Sequence, residues 1–490
     1  MDSLKIAFIT PEAVPYAKTG GLADVSGSLP KALARMGHNV KMFMPGYRQV
    51  VQNFPNISKD SIDIKCPVGS REISGEGFHI NDDSGLENYF IGNGSLFDRE
   101  ALYIDPETGK DYTDNDERFI FFCRAVLEVL KGLDWKPDIL HANDWQSALI
   151  PSFLKTAYYE DDFFAGSKTV FTIHNMGYQG LFPKETFSKL NIDASNFYAA
   201  GPFEYWGDVN FMKSAISLSD SITTVSPTYA REIQTDDEFG KGLQGVLAER
   251  SADLTGILNG VDYNQWSPQK DKMIPYRYIP ANLSGKKKDK LELLHRCNFP
   301  LRTEQPLIGI ISRLDKQKGF DLLEEIMGDI LALDLQFVLL GTGDDKYHKF
   351  FAEIETEHPD KFKAFLAFDN KLAHLIEAGA DMFLMPSRYE PCGLNQMYSM
   401  KYGTIPIVRK TGGLADSVTD FNESSLTGTG FVFEEYDSGA LLSVIEKAVD
   451  LFGRKRTWSK IIKQAMSQDF SWEKSAAQYS DLYHKILQKT

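Results

Sequence analysis

Cysteine is scarce in this chain: Cys66, Cys123, Cys297 and Cys392 stand far apart in 490 residues, with no CxxC pair and no Cys/His clustering. A disulfide framework and a zinc-finger site are excluded, and the pattern suits free thiols in a reducing compartment. Long apolar runs are missing too. No stretch approaches the ~18 uninterrupted apolar residues of a spanning helix, so no membrane contact is expected. The start of the chain lacks the charged leader, apolar core and small-residue cleavage site of a secretion signal, which points to the cytoplasm. Positive charge is in deficit: 53 Lys and Arg against 68 Asp and Glu leave −15. That balance opposes the large basic face that a nucleic-acid partner requires, and leaves room for a small basic pocket. Two phosphate motifs are also absent. No segment forms a Walker loop, and Gly341-Thr342-Gly343-Asp344-Asp345-Lys346 carries lysine where a dinucleotide fingerprint has its third glycine.

What is present is a two-domain α/β pattern. A single core stops growing at roughly 250 to 300 residues, and short apolar runs alternate with amphipathic stretches almost from end to end, the mark of stacked βα units. Strands are expected at Leu4–Thr10, Asn39–Met44, Asp138–His141, Thr169–His174, Ser221–Val225 and Leu254–Leu258. A second series follows at Leu307–Ser312, Gln336–Leu340, Ala364–Phe368, Met382–Met385, Ile405–Val408 and Gly430–Phe433. Their lack of clean alternation fits sheets covered on both faces. The proline-rich stretch from Ser267 to Pro306 separates the series. One domain is therefore expected over 1–264 and the other over 265–470, with a helix in 471–490 packing back on the first. Lys286-Lys287-Lys288 in the connector reads as solvated. Asp114-Asn115-Asp116 has a D-x-D form used by metal-dependent sugar transferases, but it precedes an apolar-periodic helix, where acidic residues serve as caps.

One heptapeptide occurs twice, Lys18 to Asp24 and Lys410 to Asp416, both KTGGLAD, one copy per expected domain. Adjacent glycines at a helix start allow close backbone approach to a ligand and favour an anion, and Lys18 adds charge. A plain strand-to-helix turn is the competing reading. Arg313 and Lys318 follow another strand and precede a helix, where open sheets bind ligands; they suit a diphosphate. Asp144, His174 and Glu390 lie in further loops at strand ends.

These residues resemble a known family. KTGGLADV, HANDW, TIHNMGYQG, SPTYAREI, ILNGVD, SRLDKQKG and SRYEPCGLNQMYSMKYG followed by the second KTGGLAD are similar, in order from Lys5 to Trp472, to bacterial glycogen synthases and plant starch synthases. The resemblance implies a GT-B fold, two Rossmann-like doubly wound domains facing a deep cleft, the first on the acceptor side and the second on the nucleotide-sugar side. It implies transfer of glucose from ADP-glucose to the non-reducing 4-hydroxyl of an α-1,4-glucan, glycogen or maltooligosaccharide, with retention of configuration. No metal or cofactor, nucleic acid or membrane is implied. The setting is the cytoplasm of a bacterium, or a plastid stroma for a mature plant-type chain.

Carried over by position, Lys18, Gly20, Gly21 and Asp24 would approach the donor, and Arg313 and Lys318 would bind its diphosphate. Asp144 and His174 would line the sugar subsite, with polar contacts from Asn259. Glu390 and the backbone of Cys392, Gly393 and Leu394 would hold the glucose, and Thr411 and Gly412 would lie near the diphosphate. Phe368 would stack on adenine, and Tyr103 would contact the acceptor. Asn143 stands where the family often has histidine. Phosphate ligands split between domains imply closure around the donor. The alternatives are a GT-B transferase using UDP-glucose or another acceptor, and a non-catalytic glucan-binding relative; the latter should have lost the charged residues that this chain keeps.

Overall fold

The computed structural model describes residues 2–488 apart from Pro55, Asp60, Ser61 and Asp83; Met1, Lys489 and Thr490, which fall in the expected terminal segments, lie outside the described residues. The chain divides into two compact units. The first runs through Val225, resumes over Ala230–Gly260 and takes in the chain from Trp472; the second comprises Val261–Ser471 and the four residues Ser226–Tyr229. The transitions thus fall at 260/261 and 471/472, a few residues from 264/265 and 470/471, and the short excursion at 226–229 has no counterpart in the sequence reading.

In the first unit seven strands run parallel: β1 (Lys5–Ile9), β2 (Asn39–Pro45), β3 (Glu87–Gly92), β4 (Ile139–Asn143), β5 (Lys168–Ile173), β6 (Ser221–Thr224) and β7 (Leu254–Gly256). Their order is β7-β6-β5-β4-β1-β2-β3. Beyond β3 the long strand Arg71–Asn81 pairs antiparallel. β1, β4 and β5 are buried along almost their whole length, which is why their sequences lack a clean alternation of apolar and polar residues. Helix Trp472–Leu487 belongs to this unit and buries Trp472, Ala476, Tyr479 and Tyr483; the Tyr483 hydroxyl lies 2.7 Å from His141 Nδ1. Helix Asn115–Gly132 follows the D-x-D segment, whose carboxylates are occupied: Asp114 accepts from Arg99 at 2.7 Å, and Asp116 from Thr186 Oγ1 and Lys189 Nζ, both at 2.7 Å.

The second unit is built on six parallel strands, β8 (Leu307–Ile311), β9 (Gln336–Leu340), β10 (Phe362–Phe365), β11 (Met382–Met385), β12 (Ile405–Arg409) and β13 (Phe431–Phe433), in the order β10-β9-β8-β11-β12-β13. Leu307, Val338, Leu340 and Phe383 from the strands pack with Leu293, Leu294 and Ile376 from covering helices. The connector is helical over Ser284–Arg296, and Lys286 is not solvated as expected. It is buried, and its ammonium donates to Ala378 O and Ala380 O at 2.9 Å and to Thr404 Oγ1 at 2.7 Å. A cation on the last carbonyls of helix Asn370–Gly379 offsets the negative end of that helix. β10 lies two to three residues upstream of its expected place, which leaves Phe368 in the following loop.

In both sheets the first strand sits inside the order, with the next strand in sequence on one side and a later one on the other. The reversal falls between β1 and β4 in one unit and between β8 and β11 in the other. Loops at the carboxyl ends of the strands flanking such a reversal diverge and leave a crevice. Those loops carry Lys18 and Asp144 in the first unit, and Arg313, Lys318 and Glu390 in the second. No helix among the described residues is long and apolar enough to cross a membrane.

Candidate functional site

After β1 the chain folds back before helix Gly21–Arg35. The buried carboxylate of Glu12 gathers the returning loop: it accepts from Thr19 N and Thr19 Oγ1 at 2.5 Å, from Gly20 N at 3.3 Å and from the Tyr103 hydroxyl at 3.0 Å. Amides expected to face a ligand anion are therefore already served by the protein's own carboxylate. Tyr103 is part of this support, and its hydroxyl is pushed well above its ordinary pKa by burial. Lys18 Nζ lies 2.7 and 2.8 Å from the two Asp24 oxygens, with both side chains partly exposed. Burial raises the Asp24 carboxyl, and Lys18 pulls against that rise. No atom lies within 4 Å of the place a Cβ on Gly20 would take, so this face of the loop is open.

Across the reversal, Asp144 follows β4 with φ +55° and ψ 176°, a conformation that a side-chain-bearing residue holds only under constraint. The constraint is visible: its Oδ1 accepts from His174 N at 2.8 Å, and its own amide donates to Thr172 O at 3.0 Å. Desolvation pushes the Asp144 carboxyl up to about 7, with the charge of Glu12 adding to the rise. Desolvation also holds the His174 imidazole down to about 3. His174 is therefore neutral near pH 7. Its tautomer follows from Asn143, whose Nδ2 donates to Ile9 O at 3.0 Å, so that Oδ1 is the atom 3.0 Å from His174 Nε2. Nε2 carries the proton and Nδ1 the lone pair. Asn259, also in this unit, is buried with an Oδ1 that has no hydrogen-bond partner among the described residues.

In the second unit one cavity of about 330 Å³ gathers six of the nine residues expected there: Arg313, Lys318, Phe368, Glu390, Gly393 and Leu394 line it, and Cys392, Thr411 and Gly412 do not. Arg313 is exposed, with Asp315 3.6 Å from its Nη2. Lys318 Nζ and Ser387 Oγ meet the same Glu390 oxygen, Oε2, at 2.7 and 2.9 Å. Glu390 is buried and Lys318 is nearly so, which makes this a desolvated ion pair with one oxygen fully engaged. Phe368 stands 86 % exposed at the mouth, an energetically poor place for a phenyl ring without a flat partner.

The second KTGGLAD copy shares the sequence of the first but not its surroundings. A Cβ on Gly412, whose φ is +42°, would lie 1.9 Å from Glu390 O, and one on Gly413 would lie 2.1 Å from Cys392 O. Thr411, and Cys392 in the loop that bears Glu390, are both buried. Lys410 pairs with Glu434 at 2.6 Å, not with Asp416. Gly20 of the first copy faces open space; Gly412 and Gly413 of the second admit the backbone of the loop that bears Glu390. Asn143, noted in the sequence where the family often has histidine, holds His174; Glu12 and Ser387, which hold other candidate side chains, were not singled out there. Both fall within motif-bearing loops; the partners of Glu12 come from a returning loop and from Tyr103, 91 residues on, which no spacing announces, whereas Ser387 bonds Glu390 only three residues away.

Residues 5–249 match the family described as starch synthase catalytic domain, and residues 294–465 match glycosyl transferases group 1. The chain is 46% identical to the glycogen synthase of Thermotoga maritima over 499 residues and 47% identical to that of Koribacter versatilis over 487, covering 99% of each chain in both cases. Among solved structures it is similar to the catalytic domain of starch synthase IV from Arabidopsis thaliana bound to ADP and acarbose, with 33% identity, a TM-score of 0.90 and full coverage of both chains. Sucrose-phosphate synthase from Thermosynechococcus elongatus shares the fold, at 19% identity and a TM-score of 0.62 over 99% of this chain.

Proposed function

We propose, for a chain that belongs to the glycogen synthase and starch synthase family of glycosyltransferases, that the donor is ADP-glucose and that glucose passes with retained configuration to the 4-hydroxyl at the non-reducing end of an α-1,4-glucan. The observation that carries the reading is the cavity in which an exposed arginine, a buried Lys318–Glu390 pair and a solvent-facing phenyl ring line one wall set. These groups match the three parts of such a donor. Arg313 can bind diphosphate oxygens bidentately, Phe368 offers adenine a stacking face, and Glu390 can accept from sugar hydroxyls. ADP, bound by starch synthase IV, is what ADP-glucose leaves behind.

The chemistry asks chiefly for stabilisation of the departing diphosphate. Arg313 and Lys318 supply two positive charges there, so activity is expected to survive a chelator. Glu390 Oε2 accepts from both Lys318 and Ser387. A carboxylate held in this way is a poor nucleophile and a good fixed acceptor, which favours a sugar-orienting role and departure and attack on the same face of the ring over a covalent intermediate. Asp144 and neutral His174 present a strained carboxyl and an imidazole lone pair, suited to binding sugar hydroxyls. Reading nucleotide release and glycogen extension with ADP-glucose or UDP-glucose, with and without chelator, tests the proposal. ADP-glucose should support rapid, chelator-resistant extension. Preference for UDP-glucose, or no extension with either, would overturn it.

A further inference from the structure

We infer that Asp416, the aspartate of the second KTGGLAD copy, and Thr228, in the excursion Ser226–Tyr229, are positioning residues that set the backbone of the Glu390 loop. The inference rests on the proposed role of Glu390 in transfer. The Asp416 carboxylate accepts from Thr228 N and Thr228 Oγ1, both at 2.7 Å. It thereby caps the start of helix Pro227–Glu232, whose first amides have no partner within the helix. With the excursion fixed, Ser226 Oγ donates to Pro391 O at 2.7 Å and accepts from Tyr229 N at 3.2 Å. The other side of the loop is held by Gly413 N, which lies 3.1 Å from Glu390 O and 3.2 Å from Pro391 O, where the bare α-carbons of Gly412 and Gly413 let the strands of backbone meet.

The line of bonds runs from Asp416 through Thr228 and Ser226 to Pro391 O, one residue beyond Glu390. None of Asp416, Thr228 and Ser226 lines the cavity. Their described hydrogen bonds reach one another, Tyr229 N and Pro391 O, while the Glu390 carboxylate is held by Lys318 and Ser387. Their effect must therefore pass through the loop's carbonyls. This gives Asp416 a different task from Asp24, which pairs with its own lysine, and explains why the repeat recurs without repeating its contacts.

The test is steady-state glucosyl transfer from ADP-glucose to maltooligosaccharide by Thr228→Val, Thr228→Ser, Asp416→Asn and Glu390→Gln variants, each with its thermal midpoint. Thr228→Val keeps the shape and removes one hydroxyl, and is expected to lower kcat ~5-fold or more with KM for the donor within twofold. Asp416→Asn removes a charged acceptor and is expected to lower kcat ~10-fold or more. Thr228→Ser restores the hydroxyl and should recover kcat to within about twofold of the parent. Parental kcat in Thr228→Val and Asp416→Asn, or a raised donor KM with kcat unchanged, overturns the inference. So does a failure of Thr228→Ser to recover at a thermal midpoint equal to that of the parent. If Asp416→Asn does not fold, the Thr228 pair decides alone. Full activity in Glu390→Gln would instead bring down the proposed role of Glu390, which separates that failure from this one.

Discussion

Lys318 and Glu390 are the clearest case of a site residue whose environment, not its identity, sets its use. Each alone would be a costly charge at a largely desolvated position; together, with Ser387, they form a pair in which removal of one partner leaves the other uncompensated. Lys318→Ala is therefore expected to reduce kcat by about 1,000-fold or more, while Lys318→Arg, which retains the charge but not the compact ammonium, recovers part of it. Initial rates at saturating donor, alongside circular dichroism to monitor the fold, check both. Equal rates for the alanine variant and the parent would remove Lys318 from the mechanism. The resemblance and the position after a strand pointed to Lys318 and Glu390 separately; that they share an ion pair was not legible, because they stand 72 positions apart with the strands β9, β10 and β11 and their helices between them.

At the scale of elements, the two glycine turns make a matched experiment supplied by the chain itself. Gly20 has an extended backbone, φ −148°, and open space at its Cβ position, whereas Gly412 has φ +42° and a carbonyl oxygen 1.9 Å away from the place its Cβ would take. Gly20→Ala should leave the thermal midpoint within about 2 °C of the parent and raise the donor KM. Gly412→Ala should cost about 2–4 kcal/mol of stability, seen in urea unfolding, and lower kcat with it. Equal stability losses would contradict the different surroundings assigned to the two copies. Elements of this kind were largely readable beforehand. Buried parallel strands such as β1, β8, β9 and β11 advertise themselves as compact apolar runs flanked by helical periodicity. β3 and the antiparallel Arg71–Asn81 were not seen, since the latter carries Ser, Gly, Glu and His and has little of its surface buried, so that no apolar run marks it. The identical sequence of the repeat suggested similar ligand contacts; tertiary packing gave each copy its own partners.

Across the whole molecule, buried ionisable groups set how stability varies with pH. His141 and His174 are both held down to about 3 by desolvation, His141 also by His174, so the unfolded chain takes up their protons first; their contribution is present above pH ~6.5 and is lost as pH falls toward 3. Asp144 acts in the opposite sense. Raised to about 7, it binds its proton in the folded state first, so its contribution is full below pH ~4 and is lost as pH rises through 7. Between about pH 6.5 and 4.5 the two effects oppose each other. Asp144→Asn leaves the histidine loss unopposed, and its unfolding free energy in urea should fall more steeply over that window than that of the parent; parallel slopes would contradict the assignment. The chain carries a net charge of −15, whereas the cavity lining balances Arg313 and Lys318 against Asp369 and Glu390, a local relief from the negative surplus that suits the proposed nucleotide diphosphate, with a neutral polysaccharide as the proposed second substrate. The most direct test of that account is proton NMR of ADP-glucose incubated with a maltooligosaccharide and the protein, followed beside Glu390→Ala. The predicted result is ADP release matched by new α-1,4 linkages, with turnover reduced by about 1,000-fold or more in the variant; β-linked product, no elongation, or an undiminished variant would contradict it.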